Sequence, residues 1–348
     1  MAEASPILRV EGLCKYFGSN KAVDNVSFHI NKGEVFGLVG ESGCGKTTTG
    51  RCIINLYDIS SGNIFFDGRR TAAGTLSYKE RIRACRAALL KASPSEKNAL
   101  RQEIRSQQEE IRKAIAVTKH LDRNFITRIQ MIYQDPIASL DPRMTVYDTI
   151  AEGLRIRGER DKQEIDKKVY GILDRVGLVR EHAGRYPHEF SGGQRQRIGV
   201  ARAIVMNPDM IIADEPVSAL DVSIQAQVIN LLSDLRREMG LTVLFIAHDL
   251  SVVKYFSDRI GVMYFGKLVE LASSDELFAH PLHPYTRALL SSIPLPDPLY
   301  EKQRVRLLYD PDRHDYSSEG PSLREIFPGH YVQCNSVEAA QYRSECKA

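Results

Sequence analysis

The chain has 348 residues, of which 43% are hydrophobic, enough to bury a full core in one large domain with appendages. No segment approaches the about 18 consecutive apolar residues of a membrane-spanning helix, so we expect none to cross a bilayer. The formal net charge of +3 is too small, with acids and bases so nearly balanced, to predict nucleic-acid binding.

The N-terminal segment, residues 1–10, lacks the order of a charged and then an apolar region that signal peptides show. We therefore expect the protein to stay in the cytoplasm. The six cysteines have no paired spacing and predict free thiols in a reducing compartment. They are Cys14, Cys44, Cys52, Cys85, Cys334 and Cys346.

The first part of the chain predicts short strands. Residues 7–14 and 22–30 are β-type runs, and the apolar run 35–39 is typical of a buried strand. A glycine-rich turn follows this run, and residues 46–56 suit a helix. The order strand, loop, helix is the context that a phosphate-binding loop requires.

From Arg69 to about Arg128 the composition favours helices, because Lys, Arg, Glu, Gln and Ala replace the β-formers. Ser93 can cap a helix, Pro94 suits its first position, and Glu96 completes a capping box. Apolar residues then recur at helical spacing, at Leu100, Ile104, Ile111 and Ile115. We predict an arm of two charged helices joined near Ser93. A solvated, partly disordered loop is the alternative.

The rest of the chain predicts an α/β core. Residues 145–179 are helical in pattern, and two buried strands, 210–213 and 241–247, flank a helix at 224–239. Alternating strands and helices favour a mainly parallel sheet.

The tail is expected to be a small accessory region with sparse regular structure, because prolines cluster after His280. These prolines are Pro281, Pro284, Pro294, Pro296 and Pro298. We predict a division into residues 1–278 and 279–348.

The motif with the most specific chemistry is a complete G-x-x-x-x-G-K-T. Its residues are Gly40, Glu41, Ser42, Gly43, Cys44, Gly45, Lys46 and Thr47, followed by Thr48, which we also assign to ATP binding. Glycines let backbone N–H groups surround phosphate oxygens, Lys46 reaches the outer phosphates, and the Thr47 hydroxyl can ligate Mg²⁺. A glycine-rich turn without a ligand is the alternative.

Two acids follow four apolar residues at 210–213, where a buried strand leaves the sheet. Asp214 would hold the Mg²⁺, and Glu215 would act as the general base on the attacking water. Taken alone, the pair could be an ordinary strand end.

A second glycine turn, Ser191-Gly192-Gly193-Gln194, precedes a predicted helix and suits phosphate oxygens as well. A protein with a single phosphate loop should not need a second turn of this kind for its own nucleotide. The simplest explanation is that Ser191, Gly193 and Gln194 serve the nucleotide of a neighbouring subunit.

The ordered set of motifs resembles the nucleotide-binding domain of ABC transporters, whose L-S-G-G-Q signature here begins with Phe190. The resemblance implies that Gln134 senses Mg²⁺ and contacts membrane subunits, and that His248 contacts the γ-phosphate. It also implies that Ser218-Ala219-Leu220-Asp221 is the D-loop, with Asp221 at the shared nucleotide. Phe17 would stack on adenine, with Tyr16 as a substitute. The match covers residues 7 to about 277 apart from the arm.

The resemblance implies an α/β fold with a P-loop NTPase core, an antiparallel β subdomain and an α-helical subdomain that carries the signature. It implies a head-to-tail pair of ATPase subunits, identical or homologous, with ATP and Mg²⁺ shared between them. Membrane permease subunits and an extracytoplasmic solute-binding protein would complete the system. The chain would then work on the cytoplasmic face of the membrane, and residues 134–144 would pass its motion to membrane helices.

Within the family, the chain is most similar to ATPases of oligopeptide and dipeptide importers. The similarity lies in residues 137–144 and in 283–290, His-Pro-Tyr-Thr-Arg-Ala-Leu-Leu. Two features depart from this group. The tail has only Cys334 and Cys346, too few for the four-thiolate iron–sulfur cluster of some relatives. The arm also exceeds the usual length.

Three other functions remain open at this point. A soluble ABC-type ATPase could act on ribosomes or nucleic acid, although ribosome factors usually carry two nucleotide-binding units. A regulatory nucleotide binder would be expected to lack Glu215 or His248, and both are present. Export instead of import is the third.

Overall fold

A computed structural model describes residues 6–119, 122–218, 220–293 and 306–345. They form two compact units. The first takes the described residues up to 32, 43–126 and 265–267, and the second takes 33–42, 127–264 and 268 onwards. The division falls between Ser42 and Gly43, inside the glycine-rich loop. The boundary at 278 stays a prediction.

The strands are β1 (Pro6–Phe17), β2 (Asn20–Asn31), β3 (Val35–Val39), β4 (Ser61–Phe66), β5 (Arg69–Ala73), β6 (Ile129–Ile132), β7 (Met210–Asp214), β8 (Thr242–Ala247), β9 (Arg259–Tyr264), β10 (Lys267–Ser273), β11 (Ser322–Phe327) and β12 (His330–Cys334). The helices are α1 (Lys46–Ile53), α2 (Leu76–Leu89), α3 (Pro94–Lys119), α4 (Arg123–Ile126), α5 (Pro136–Ser139), α6 (Val146–Ile156), α7 (Lys162–Arg175), α8 (Gly192–Ile204), α9 (Val222–Met239), α10 (Leu250–Phe256), α11 (Ser274–Ala279), α12 (Pro284–Ser291) and α13 (Ser336–Glu345). No described helix is long and apolar enough to span a membrane.

The first unit is built on a four-stranded antiparallel sheet in the order β2-β1-β4-β5. Alternate residues of β2 are buried, as expected for a strand with one face on a core. Arg69–Ala73 was expected to begin the helical arm, and this expectation is wrong. Asp67 and Gly68 both have positive φ, which closes a tight hairpin and returns the chain along β4 with Thr71 and Ala72 buried.

The arm consists of α2 and α3, joined near Ser93 as predicted, so the alternative of a disordered loop is wrong for the described residues. The N–H and hydroxyl of Ser93 both donate to Glu96 Oε2, at 2.8 and 2.7 Å. These bonds hold the pKa of Glu96 below its usual value. The Glu96 carboxylate thus satisfies the backbone N–H of Ser93, which precedes the first helical turn. For this reason α3 starts where the capping box predicts.

The inner faces of the arm helices meet along a seam in which Ile82 and Cys85 of α2 and Ala114 of α3 are buried. Ile115 was expected in this seam but is 45% exposed. The partly buried positions of α3 alternate at spacings of four and three residues through Leu100, Ile104, Gln107 and Ile111, so that Ala114 is next. Ile115 lies one residue beyond this seam.

The second unit contains an eight-stranded sheet in the order β11-β12-β10-β9-β3-β8-β7-β6. The strands β9, β3, β8, β7 and β6 run parallel, which confirms the predicted parallel core. β3, β7 and β8 are buried at every position, as strands covered on both faces should be. The predicted helical stretch 145–179 forms two helices, α6 and α7.

The tail is more regular than expected. β12 pairs with β10, β11 pairs with β12, and α13 follows. Together with Leu282, which precedes α12, their side chains form a separate small core of Ile326, Val332, Cys334, Ala339 and Tyr342. Prolines after His280 do not prevent this because β11 and β12 begin after the proline-rich stretch. Pro294, Pro296 and Pro298 lie outside the described residues, as do Met1 and Cys346. The other five cysteines are free thiols.

Candidate functional site

The loops that carry the predicted catalytic residues leave one edge of the parallel sheet. The strands β6, β7, β8 and β3 are neighbours, with Ile132 beside Ala213, Asp214 beside Ile246, and Val39 beside Ala247. Because the carboxyl ends of parallel strands share an edge, the chain segments that follow them start close together. Gln134, Glu215, His248 and Gly40 come just after these four strands.

Gln134 and His248 converge on the carboxylate of Glu215. Gln134 Nε2 lies 3.1 Å and His248 Nδ1 lies 3.0 Å from Glu215 Oε2. Both contacts are to the same oxygen, so Oε1 can accept a hydrogen bond from a water molecule. The Glu215 side chain is 12% exposed and that of His248 is 53% exposed. The site therefore joins a shielded carboxylate to an accessible imidazole.

The backbone at Glu215 has a φ of 44°, in the left-handed region that residues with a side chain rarely adopt. The Glu215 N–H donates to the carbonyl of Ile246 at 2.9 Å, and the Ser218 hydroxyl donates to the Glu215 carbonyl at 3.1 Å. These bonds tie the residue to β8 and to the following turn. The sharp turn after β7 aims the carboxylate at the edge of the sheet.

Asp214 is the last residue of β7 and is 1% exposed. A buried carboxylate requires a charged or hydrogen-bonding partner, since desolvation alone is costly. The residues predicted to hold Mg²⁺, Thr47, Gln134 and Asp214, offer only hydroxyl, amide and carboxylate oxygens, the ligand type that Mg²⁺ prefers. Because Gln134 donates through Nε2, its Oε1 is left as an acceptor.

The phosphate loop begins in the second unit with Gly40, Glu41 and Ser42 and continues in the first with Gly43. Gly43 and Gly45 have φ of 81° and 106°, which a residue with a Cβ would resist. Gly45 is the N-cap of α1, which places Lys46, Thr47 and Thr48 in the first helical turn. Lys46 is 4% exposed, and Cys44 is buried beside it, with Sγ 3.8 Å from Nζ.

The signature turn caps α8. Ser191 Oγ accepts from the Gln194 N–H at 3.4 Å, and Gln194 Oε1 accepts from the Ser191 N–H at 3.0 Å. A Cβ at Gly193 would lie 2.6 Å from Cγ2 of Ile224 on α9, so only glycine fits there without displacement. Phe190, which replaces the leucine of the signature, is buried. The turn thus exposes its backbone at the N-terminus of α8, which the capping bonds hold in place.

The D-loop leads into α9, with Asp221 as an exposed N-cap whose side chain makes no capping bond. Gln225 Nε2 donates to the carbonyls of Val217 and Leu220, at 3.1 and 3.0 Å, and so holds the loop from inside α9. Ala219 lies outside the described residues. Asp221 remains accessible to another molecule.

Phe17 ends β1 and is 45% exposed, as a stacking platform for a base must be. Its ring makes an edge contact with Tyr57, and Lys15 Nζ lies 4.7 Å from its centre. Tyr16, the proposed substitute, donates its hydroxyl to Asp24 at 2.6 Å and is partly buried. The exposed ring of Phe17 fits the stacking position better.

Sequence reasoning missed one residue at the phosphate loop. The N–H of Glu41 donates to the hydroxyl of Tyr285, in α12, at 3.1 Å. The Tyr285 ring is fully buried and packs against Tyr264 and Tyr309, with centroids 4.4 and 5.5 Å away. The His-Pro-Tyr segment had marked a family likeness without a role. No local pattern could have paired residues 244 positions apart.

Two family models match the chain. The model described as ABC transporter matches residues 23–125 and 95–218, and the model described as the C-terminal region of oligopeptide/dipeptide transporters matches residues 269–320. The two segments of the first match overlap within α3 and the residues just after it.

Curated relatives match over nearly their whole length. The oligopeptide transport ATP-binding protein OppF of Bacillus subtilis is 52% identical, over 95% of this chain and 97% of the relative. AmiF of Streptococcus pneumoniae, also an oligopeptide transport ATP-binding protein, is 51% identical over 94% of this chain and 93% of the relative. The dipeptide transport ATP-binding protein DppF of Lactococcus lactis is 46% identical over 99% and 98%.

Solved structures share the fold. The cbiO1 protein of Clostridium perfringens, part of an ABC transporter complex, is 25% identical with a TM-score of 0.59, over 79% of this chain and 91% of that one. The dimeric ATP-binding cassette MJ0796 bound to ADP and Pi is 24% identical with a TM-score of 0.57, over 77% and 98%. The chain therefore belongs to the ATP-binding proteins of the ABC transporter family.

Proposed function

We propose that this chain is the ATP-hydrolysing subunit of a membrane importer for oligopeptides or dipeptides. The observation that carries the proposal is the convergence of Gln134 and His248 on the Glu215 carboxylate. The named substrates of the relatives support the choice of peptides, and the similarity of the C-terminal region to that of peptide transporters supports it too.

The chemistry divides among a few side chains. Glu215 accepts the proton of the attacking water, which is oriented by its Oε1, and His248 contacts the γ-phosphate through its exposed imidazole. Lys46 and the N–H groups of residues 42–48 bind the phosphates, while the N–H of Glu41 is held by Tyr285. Thr47, Gln134 and Asp214 would hold Mg²⁺, which neutralises charge on the β- and γ-phosphates when bound. Phe17 stacks on the adenine.

Hydrolysis needs a second ATPase subunit, identical or homologous, packed head to tail. Ser191, Gly193, Gln194 and Asp221 are at exposed turns and would complete the nucleotide pocket of that subunit. ATP would hold the two subunits together, and loss of phosphate would let them separate, a ligand-driven shift between two states.

The motion passes to permease subunits through residues 134–144. In this segment Asp135 caps the short α5 by accepting from the N–H groups of Ile137 and Ala138, at 2.7 and 3.1 Å. Ile137 is 65% exposed and offers an apolar contact to a membrane helix. The chain would lie on the cytoplasmic face, with residues 279–348 as an accessory region and an extracytoplasmic binding protein delivering the peptide.

Uptake of a labelled oligopeptide tests this function. Cells lacking the chain should not accumulate the peptide, wild-type chain should restore accumulation, and Glu215→Gln should not, although it reaches the membrane in equal amount. Accumulation in cells without the chain, or full rescue by Glu215→Gln, would refute the proposal. Recovery with ribosomes and never with membrane proteins would favour the soluble ATPase instead.

A further inference from the structure

The helical arm carries a large net positive charge. Between residues 76 and 119 there are 11 Lys and Arg residues and five Glu residues, which gives this segment a formal charge of +6. Since the whole chain has +3, the remaining residues together carry −3. The small net charge of the chain therefore conceals a strongly cationic arm.

Most of the charges on the arm are separated by face. On α2, Lys79, Arg83 and Arg86 follow the spacing i, i+4, i+7, so they lie on one side of the helix. On α3, Arg101, Arg105 and Arg112 share one side by the same rule. Each of these cations directly follows a position of the buried seam in sequence. Each row is therefore rotated by about 100° from the seam of its own helix.

The two rows fall on the same side of the arm. The helices α2 and α3 run antiparallel. A rotation of the same size and direction along each chain therefore brings the two rows of cations to the same face of the pair. Three of the four acids of α3, Glu96, Glu103 and Glu110, lie on the opposite flank at spacings of seven residues, whereas the fourth, Glu109, follows Arg105 by four residues and borders the basic row. Arg81 of α2 meets Glu103 there at 2.6 Å, which fixes the relative rotation of the helices. We call the side with Lys79, Arg83, Arg86, Arg101, Arg105 and Arg112 the basic face.

All six side chains of the basic face are exposed. In the part of the chain that the structure describes, none of them forms an ion pair, whereas Arg81 and Lys113 pair with Glu103 and Glu110. Leu90, at the tip of α2 on the same side, is 87% exposed. A row of unpaired cations beside an exposed apolar side chain matches the chemistry of an anionic lipid surface.

We propose that the basic face of the arm binds anionic phospholipid headgroups of the membrane on which the transporter sits. The proposal rests on the membrane association in the proposed function. A free ATPase subunit meets the membrane by diffusion, and cations near an anionic surface raise its local concentration within a Debye length of the bilayer. The arm would hold the subunit at the membrane while it finds the permease.

Vesicle binding of the purified full-length chain tests the proposal without permease or ATP. Vesicles of equal parts phosphatidylcholine and phosphatidylglycerol should bind wild-type chain at low salt, and pure phosphatidylcholine should not. Removing three charges, in Arg83→Gln/Arg86→Gln/Arg105→Gln, should weaken binding about 100-fold. The matched control Lys162→Gln/Lys167→Gln/Arg175→Gln removes three exposed cations from α7 and should bind like wild type.

Absence of binding to the anionic vesicles would overturn the proposal. An equal loss of vesicle affinity in the two triple variants would overturn it too, because binding would then depend on the total charge of the chain and not on the basic face. Tighter binding of the basic face to RNA than to the vesicles would overturn the choice of lipid. ATP hydrolysis by the arm variant should match wild type, since no altered residue belongs to the nucleotide site. The proposed transport function can therefore fail independently of this test.

Discussion

Glu215, the proposed general base, has a backbone conformation that costs about 1 to 3 kcal/mol. Its φ of 44° follows from the turn that β7 must make at the sheet edge, and the bond to Ile246 stabilises that turn. Asp214, one residue earlier, is buried within the strand. Adjacent acids thus receive different surroundings: Asp214 is almost fully buried at the end of β7, and Glu215 lies at the sheet edge with 12% of its side chain exposed.

Tyr285 gives a prediction at the phosphate loop. Tyr285→Phe keeps the buried ring but removes the acceptor of the Glu41 N–H, so the loop should bind phosphates in a less fixed conformation. A lost hydrogen bond of about 0.5 to 1.5 kcal/mol predicts a rise of about 2- to 12-fold in KM for ATP, with kcat less affected. ATPase kinetics measure this, alongside thermal unfolding to check that the core is intact.

The matched control is Tyr309→Phe, which removes a hydroxyl from the same ring cluster without touching the loop. Its KM should equal that of wild type. If both variants raise KM equally, or if Tyr285→Phe leaves it unchanged, the hydrogen bond does not position the loop.

Gly193 gives a second prediction. Gly193→Ala brings a Cβ towards Ile224 and towards any phosphate on the signature turn, and should lower turnover about 10-fold, or about 1.4 kcal/mol. Binding of ATP to the chain's own phosphate loop should persist. Steady-state hydrolysis and nucleotide binding together measure the two effects.

The variant Gly193→Ala/Ile224→Ala separates packing from chemistry, because it removes the internal clash. If the phosphate of the neighbouring subunit meets this turn, turnover stays low in the double variant. Full recovery would mean that only packing against α9 required glycine.

At the scale of elements, the His283 side chain caps α12 by accepting the N–H of Tyr285 at Nδ1, at 3.1 Å. This contact needs an unprotonated Nδ1. Burial, with a smaller contribution from the nearby His314, lowers the pKa of His283 to about 3 from an ordinary value of 6.5. The unfolded chain therefore binds more protons between these values, and stability is lost as pH falls through this window.

A pH series on His283→Asn tests this cap, because asparagine keeps an acceptor but does not titrate. Between about pH 7 and pH 5 the free energy of unfolding of wild type should fall by about 2 kcal/mol more than that of the variant. Urea unfolding at several pH values measures the difference. Parallel curves for the two proteins would show that His283 is not responsible.

The sequence predicted the elements whose pattern is local. The phosphate loop, β3, β7, β8 and the capping box at Ser93 depend on residues within a few positions of one another. β11 and β12 were missed because their stability depends on pairing with β10 and on a small core formed with α13. Ile115 was misplaced because a spacing of four residues fits two neighbouring helix faces, and only contact with α2 selects Ala114.

For the site, sequence order and family likeness together named the residues, while their distances depended on strand order. That Gln134 and His248 meet at one oxygen of Glu215 follows from β6, β7 and β8 being neighbours, which no local pattern specifies. The Tyr285 contact required the fold of the tail. Tertiary pairing over long sequence separations accounts for both gaps.

At the scale of the whole molecule, the chain joins the proposed ATPase site at the sheet edge to two proposed surfaces for partners. The exposed turns at Ser191 and Asp221 suit a second ATPase subunit, and α5 with Ile137 suits the permease. The basic face of the arm is the third proposed surface, for lipid. The central claim remains that Glu215 drives ATP hydrolysis and thereby transport.

Phosphate release from ATP, by the transporter purified from membranes through this chain, tests that claim most directly. Glu215→Gln should lower the rate by about 10²- to 10⁴-fold while ATP still binds. Glu238→Gln, an exposed glutamate near the end of α9, should release phosphate like wild type. A wild-type rate in Glu215→Gln would contradict the account.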